Sequence, residues 1–268
     1  MTNKVVWYVQ RIINLIWVLL NLFIYLIFHP SKIRVFLFPI FSSINEFFQT
    51  SHGGLKNFED TACFQKLSSK TIFARSNLFN QEAHVTRSME THFLATIVDG
   101  YAPKTIFEIG TYNGFTTLHM AVNSPEDCKI YTLDLPPGFN LSEAKGNSYD
   151  DILVMQLSQE NITKRFFKNH PLSHKVVELF GDSSKFDFTP YYGKIDLVFI
   201  DGNHSMEFVK KDSENAFKMV SENGLIVWHD FDYIIHRDVF LFLQDLSTKH
   251  SIYSVPNTRF AVYGKKLD

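Results

Sequence analysis

The chain has 268 residues, of which 45% are hydrophobic and 20% charged, a balance typical of folded globular proteins and not of disordered or fibrous ones. Its formal net charge of −2 excludes a strong overall attraction to nucleic acid. The two cysteines, Cys63 and Cys128, form no C-x-x-C pair, so we predict a reduced compartment and no zinc site.

The first 41 residues differ from the rest of the chain. Residues 12–28 read IINLIWVLLNLFIYLIF and carry no charged side chain. As a helix this segment is roughly 25 Å long, close to the roughly 30 Å of a bilayer core. We predict that residues 1–41 form a membrane anchor with a hydrophobic helix, which either spans the membrane or lies in its surface. A cleaved secretory signal is disfavoured because His29–Lys32 is not a small-residue cleavage site.

Residues 42–81 have a mixed pattern and are predicted to form a connector. After them, residues 82–268 alternate between helical and extended patterns. The predicted helices are Glu82–Val98, Thr116–Val122, Leu153–Phe167 and Glu207–Val220. The predicted strands are Thr105–Ile109, Lys129–Asp134, Val176–Phe180, Ile195–Asp201 and Leu225–Asp230.

The end of the chain predicts an antiparallel hairpin, because two β-rich runs, Ser251–Val255 and Arg259–Tyr263, flank Pro256-Asn257-Thr258. Together these elements predict an α/β fold with a doubly wound, mostly parallel sheet of seven strands that ends in this hairpin. Such a sheet binds its ligand at the carboxyl ends of its strands.

The first strand runs into Glu108-Ile109-Gly110-Thr111-Tyr112-Asn113-Gly114. Two glycines four residues apart allow a tight turn that a ligand can approach closely. Tyr112 stands where a dinucleotide-binding fingerprint requires glycine, and the acidic Glu108 disfavours a phosphate and favours a cationic ligand. A plain strand-to-helix turn without a ligand is the alternative.

Acidic residues also follow the other strands. Asp134 is placed to accept the hydroxyl hydrogens of a ribose, or else to cap a turn or a helix. Asp182 places another carboxylate near the same cleft, or else caps a helix. Asp201 and His204 follow the fourth strand, and His229 and Asp230 end the fifth. Two carboxylates at neighbouring strand ends suit a divalent cation or a polar substrate.

Taken in order, FEIGTYNGFTT, YTLDLPP, LFGDSS, IDLVFIDGNHS and GLIVWHDF resemble the motifs of class I S-adenosylmethionine-dependent methyltransferases, in the branch of small-molecule and sugar O-methyltransferases. The resemblance covers the chain from about Glu82 to about Lys265. It implies a Rossmann-like methyltransferase fold for this domain and S-adenosyl-L-methionine as the cofactor.

The resemblance also implies roles for individual residues. Gly110, Gly114 and Glu108 would surround the methionine part of the cofactor. Asp134 would bind the ribose, and Leu135 would lie against the adenine. Asp182 and Ser183 would lie near the adenine amino group. Asp201 is also expected to contact the cofactor. His204 would be the general base.

The resemblance implies a metal site only in part. Asp201 and Asp230 match two metal-binding positions, for Mg²⁺ or another divalent cation. Phe231 stands where relatives carry a third ligand, so a complete site needs Asp232 or Glu108.

The predicted activity is therefore O-methylation of a small-molecule or glycan hydroxyl by a membrane-associated enzyme whose catalytic domain faces the cytoplasm. Two alternatives stay open: a nicotinamide-dependent oxidoreductase, and a non-catalytic membrane-tethered protein that binds a cofactor. The oligomeric state is not indicated by the sequence.

Overall fold

A computed structural model describes residues 55–62, 64, 88–141, 149–265 and 267. The predicted membrane anchor, residues 1–41, and most of the connector, residues 42–81, lie outside the described residues, so both stay predictions. Among the residues that are described, no helix has both the length and the apolar character needed to cross a membrane.

The described part of the chain forms one eight-stranded sheet with the order β1-β7-β8-β6-β5-β2-β3-β4. Neighbouring strands are parallel except for β8, which runs antiparallel to both β6 and β7. The strands are β1 Lys56–Asn57, β2 Thr105–Ile109, β3 Lys129–Asp134, β4 Val176–Phe180, β5 Ile195–Ile200, β6 Val220–Trp228, β7 Ile252–Ser254 and β8 Ala261–Gly264. The mostly parallel sheet and its terminal hairpin are confirmed.

The predicted count of seven strands is one too low for this part of the chain. The extra strand, β1, comes from the predicted connector and pairs with β7, with Lys56 opposite Tyr253 and Asn57 opposite Ser254. A strand of two residues is too short to show an alternating pattern, so no local sequence pattern indicates it.

Five helices lie within the described residues: α1 Ser88–Tyr101, α2 Phe115–Asn123, α3 Tyr149–Asn161, α4 Met206–Met219 and α5 Arg237–Ser247. Helix α5 was not predicted. The third helix ends at Asn161, six residues before the predicted end at Phe167. The chain leaves the helix there because Arg165 and Phe166 bond instead to the turn after β2, through the carbonyls of Tyr112 and Asn113.

The central strands are buried on both faces, as parallel strands usually are. In β5, Val198 packs in the cluster that contains α4 and α5, whereas Leu197 and Phe199 pack in the cluster that contains α1 and α2. All three side chains are fully buried. This alternation explains why the strand is apolar at every position except Asp196.

The register of the sheet determines which residues meet at its carboxyl edge. Ile109 of β2 lies opposite Ile200 of β5, which lies opposite Trp228 of β6. The residues that follow, Gly110, Asp201 and His229, therefore leave the sheet side by side.

Candidate active site at the carboxyl edge of the sheet

The turn after β2 has a left-handed backbone at Gly110, Tyr112 and Gly114, with φ of 97°, 48° and 75°. A Cβ atom on Gly110 would lie 2.0 Å from the carbonyl oxygen of Asp201, so only glycine fits there. A Cβ atom on Gly114 would lie 2.6 Å from the ring of Phe167. Both predicted glycines are thus required by the close approach of other chain segments.

Three amide groups of this turn are bonded within the protein. The N–H groups of Gly110 and Gly114 donate to the carbonyls of Leu133 and Thr111 at 2.9 and 2.8 Å. The N–H of Tyr112 donates to Asp134 Oδ2 at 3.1 Å. A phosphate-binding loop needs several free N–H groups, so the bonds that these three amides already make disfavour a pyrophosphate here.

Glu108 is completely buried beneath the turn. Its Oε2 accepts hydrogen bonds from the hydroxyls of Thr117 and Thr132, at 2.5 and 2.6 Å, while its Oε1 has no hydrogen-bond partner. Burial raises the pKa of Glu108 to about 8, although the two threonine hydroxyls lower it. The carboxyl group therefore has one open acceptor oxygen.

Asp134, at the end of β3, is held by a buried arginine. Its Oδ2 accepts hydrogen bonds from Arg165 Nη2 and from the hydroxyl of Ser158 as well as from Tyr112. Its Oδ1 accepts only the N–H of Leu135, at 2.8 Å, which leaves one lone pair of that oxygen for another donor. Burial raises the pKa of Asp134, even though Arg165 lowers it.

The next strand end carries Asp182 and Ser183, both half-buried. Asp182 Oδ1 accepts the N–H of Ser184 at 2.9 Å, so this residue caps its own turn rather than the helix that one interpretation of the sequence predicts. Burial raises the pKa of Asp182, but the hydrogen bonds from Ser184 and Lys185 outweigh burial and lower it overall. Ser183 lies next to it on the same turn.

A compact group of imidazoles and carboxylates follows β5 and β6, which we call the histidine–aspartate cluster: Asp201, His204, His229, Asp230 and His236. Asp230 is at its centre. Its Oδ2 lies 2.8 Å from His204 Nε2 and 3.2 Å from His229 Nδ1, and its Oδ1 lies 3.1 Å from His236 Nδ1. Asp201 Oδ1 lies 2.9 Å from the same His229 nitrogen. The predicted Asp201, His204 and Asp230 are therefore brought together.

Asp230 has an unusual backbone for a residue other than glycine, with φ of 59°. Aspartate tolerates this left-handed region better than most residues, and strained positions of this kind are concentrated at functional sites. Burial raises the pKa of Asp230, but the surrounding histidines and Arg259 outweigh burial and lower it well below its ordinary value.

The pKa of His204 differs from the ordinary value of about 6.5 expected for a free histidine. Burial lowers this pKa, but the carboxylates of Asp230 and Asp151 outweigh burial and raise it to about 10. Asp151, on α3, lies 2.6 Å from His204 Nδ1. His204 therefore carries a proton at neutral pH in the arrangement described.

Two further residues of the site, Glu90 on α1 and Arg259 before β8, were missed at the sequence level. Arg259 donates to both oxygens of Glu90 and to Asp230 Oδ1, and Glu90 Oε2 lies 3.1 Å from His229 Nε2. Both are nearly or fully buried. In the sequence, the one sign of their role is that each charged residue stands close to an apolar run. A charged side chain there is expensive to bury without a partner.

Two family models match the chain: one described as a methyltransferase domain over residues 107–231, and one described as O-methyltransferase over residues 56–146. Both cover the turn after β2, and the first extends to the end of the DGNH and HD segments. The chain is a class I S-adenosylmethionine-dependent methyltransferase.

A solved structure similar to this methyltransferase shares its fold. The SAH-bound methyltransferase PaMTH1 of Podospora anserina has 18% identity and a TM-score of 0.50, over 68% of this chain and 80% of that one. A Staphylococcus aureus protein whose proposed activity is that of a caffeoyl-CoA O-methyltransferase has 18% identity and a TM-score of 0.47, over 66% and 83%. Comparison with curated proteins finds no significant match.

Glu108 Oε1 and Asp134 Oδ1 each have a lone pair with which to accept a hydrogen bond from an ammonium or a hydroxyl group, so these two residues fit the methyl donor of such an enzyme. For a metal, the oxygen ligands are fewer than the family resemblance would require. Phe231 is buried and stacked on Phe240, and Asp232 Oδ1 accepts the N–H groups of Ile234 and Ile235. Asp201, His229 and Asp230 do group their ligand atoms within 4.8 Å of one another.

Proposed function

We propose that this methyltransferase transfers a methyl group from S-adenosylmethionine to a hydroxyl oxygen of a small-molecule or glycan acceptor. The observation that supports it most is the carboxyl edge of β4, β3, β2 and β5, four consecutive strands that carry Asp182, Asp134, Glu108 and Asp201. A row of acidic groups beside a turn whose Gly110, Tyr112 and Gly114 amides are already bonded suits a cationic sulfonium nucleoside better than a dinucleotide.

In this proposal, different residues bind different parts of the cofactor. Glu108, Gly110 and Gly114 bind its methionine part, together with Asp201. Asp134 and Leu135 bind the ribose and the adenine, and Asp182 and Ser183 the adenine amino group. The donor supplies an electrophilic methyl group, so the protein's main task is to hold the acceptor oxygen in line with it.

His204 is the proposed general base for the acceptor hydroxyl. Its two ring nitrogens face Asp151 and Asp230, and its side chain is 22% exposed, so an acceptor can reach it. Because its pKa is about 10, this role requires that His204 lose its proton when the substrates bind. A positive charge that arrives near Asp230 favours this loss, since it weakens the carboxylate's pull on the imidazolium.

The test of the base is His204→Ala. We expect turnover to fall by about 100-fold or more, because a positioned base typically contributes 10²–10⁴-fold, while donor affinity changes little. Isothermal titration with S-adenosylmethionine and methyl release from labelled donor measure the two effects. His174→Ala is the matched control, since His174 is exposed and distant in the chain. Loss of donor binding in His204→Ala, with normal binding in His174→Ala, would contradict the base role.

Two measurements distinguish the alternative functions. Titration of the purified chain with S-adenosylmethionine and with NAD separates the methyltransferase from an oxidoreductase, for which binding of NAD alone is expected. A screen of metabolite extracts by mass spectrometry for products 14 Da heavier (the mass of about one CH₂) identifies the acceptor. Donor binding without any methylated product from hydroxyl compounds would favour a non-catalytic binding protein.

We further propose that residues 1–41 tether the enzyme to a membrane with the catalytic domain in the cytoplasm, where the methyl donor is made. The support is the uncharged run of residues 12–28. Extraction of membranes with alkaline carbonate tests the tether, and protease added outside intact cells tests the placement. Release by carbonate, or external cleavage of the catalytic domain, would refute the respective part.

A further inference from the structure

A second layer of carboxylates surrounds the histidine–aspartate cluster. His229 directs Nδ1 towards Asp201 and Asp230, while its Nε2 lies 3.1 Å from Glu90 Oε2. His204 directs Nε2 towards Asp230, while its Nδ1 lies 2.6 Å from Asp151. Metal-binding imidazoles nearly always donate their second ring N–H to a carboxylate, a carbonyl or water, which fixes the ring and makes the free nitrogen a better ligand.

The charges of these groups do not balance when the imidazoles are neutral. Asp201, Asp230, Glu90 and Asp151 contribute four negative charges, and Arg259 contributes one positive charge. Asp230 is 4% exposed and Glu90 is fully buried. Buried carboxylates need compensating positive charge, which a divalent cation bound by neutral imidazoles would supply in place of the protons that these imidazoles carry without it.

Asp230 has one oxygen available for such a cation. Its Oδ1 is occupied by Arg259 Nη1 and faces His236, whereas its Oδ2 faces His229 and His204. His204 Nε2, although only 2.8 Å from that oxygen, is not aligned for a hydrogen bond with it. The structure thus holds Asp230 from one side and directs its second oxygen into the cluster.

We propose that Asp201 Oδ1, His229 Nδ1 and Asp230 Oδ2 bind a divalent transition metal of the Mn²⁺, Co²⁺ or Zn²⁺ type in preference to Mg²⁺. Their ligand atoms lie within 4.8 Å of one another. The group of His204, Asp230 and His236 is similarly compact, but it has one carboxylate fewer, and two of its members are half-buried.

The choice of metal follows from the nitrogen ligand. Mg²⁺ is held by oxygen ligands in octahedral geometry and retains several waters, whereas imidazole suits the later divalent metals. Phe231 removes an oxygen ligand, and His229 supplies a nitrogen in its place. This inference deepens the proposed function. The role of the metal, to polarise the acceptor oxygen, rests on that function, whereas metal binding itself does not.

The test is metal binding by the full-length chain without donor or acceptor, so that its failure is distinguishable from failure of methyl transfer. We expect Co²⁺ to bind with one-to-one stoichiometry and visible ligand-field bands, and an excess of Mg²⁺ of about 100-fold not to displace it. His229→Asn is expected to weaken Co²⁺ binding by about 100-fold, and Glu90→Gln by about 10- to 100-fold. His236→Asn, a matched variant in the same cluster, should leave the affinity unchanged.

Three results would overturn the proposal: no binding of Co²⁺ or Mn²⁺, equal competition by Mg²⁺, or a loss of affinity in His236→Asn but not in His229→Asn. The last result would assign the metal to the other group. If His229→Asn does not fold, pulsed electron paramagnetic resonance of the Mn²⁺-loaded wild-type and His236→Asn chains decides the question. Coupling to an imidazole nitrogen that persists in the Mn²⁺-loaded His236→Asn chain supports the proposal, and its absence there refutes it.

Discussion

At the scale of single residues, Asp134 and Asp230 are each held by an arginine from a distant part of the chain. Glu108, Asp134, Asp201 and Asp230 themselves could be predicted, because each lies at or just beyond the carboxyl end of a β-rich run. Their partners could not, since Arg165 comes 31 positions after Asp134 and Arg259 comes 29 positions after Asp230. Contacts of this kind depend on tertiary packing and leave no local pattern in the chain.

The buried Glu108 makes stability depend on pH. Its pKa is raised from 4.5 to about 8 in the folded protein, so folding takes up a proton between these values. The free energy of unfolding is therefore expected to fall as pH rises from about 4.5 to 8, by at most about 1.4 kcal/mol per pH unit. Glu108→Gln should remove this slope, whereas Glu126→Gln, on an exposed side chain, should keep it.

Urea unfolding of the three proteins at several pH values between 5 and 8 measures this effect. The quantity compared is the difference from wild type, because other groups titrate in the same range. Parallel curves for wild type and Glu108→Gln would show that Glu108 does not take up the proton.

At the scale of elements, the strands were predicted best. The bounds of β2, β3 and β4 agree with the predicted ones at both ends, because each is a short β-rich run between turn residues. Helix α5 is not predicted from the sequence. Asp232 is a residue type that often precedes a helix, but here its carboxylate caps the loop before α5 by accepting the N–H of Ile234. The sequence of α5, RDVFLFLQDLS, directly follows a strand-like run of apolar and aromatic residues, so no clear starting signal marks it.

The junction of β2 with its turn offers a test at this scale. Gly110→Ala must place a Cβ atom in a left-handed backbone and against the Asp201 carbonyl, whereas Gly193→Ala has the same backbone type with open space around it. We expect Gly193→Ala to cost about 1 kcal/mol of unfolding free energy, and Gly110→Ala about 3 kcal/mol or more. Chemical denaturation measures both, and similar losses would mean that the Asp201 backbone moves aside freely.

At the scale of the whole molecule, the catalytic domain begins earlier than the sequence indicates. The predicted boundary at residue 82 excludes β1, yet Leu55 and Phe58 are 6% and 1% exposed in the core. Phe58 packs edge-to-face on Phe64 and Phe93, so the segment before residue 62 belongs to the same core as α1. The sequence does not indicate that this segment is part of the core, because the buried side chains are flanked by polar ones: Lys56, Asn57, Glu59 and Asp60.

The boundary is tested by Phe58→Ala. Deletion of a fully buried aromatic side chain is expected to lower the free energy of unfolding by about 3–5 kcal/mol. Phe166→Ala is the control, because that ring is 42% exposed, and it should cost about 1 kcal/mol or less. Equal effects would place the segment around Phe58 outside the cooperative core.

Arg259 has a consequence for how the enzyme is made. It comes 169 positions after Glu90 and 29 positions after Asp230, yet it joins these two residues at the centre of the site. A ribosome must therefore synthesise the chain beyond Arg259 before these groups can assemble. Premature termination anywhere upstream of this arginine leaves Asp230 without its guanidinium partner, so incomplete translation products are expected to be inactive rather than partly active.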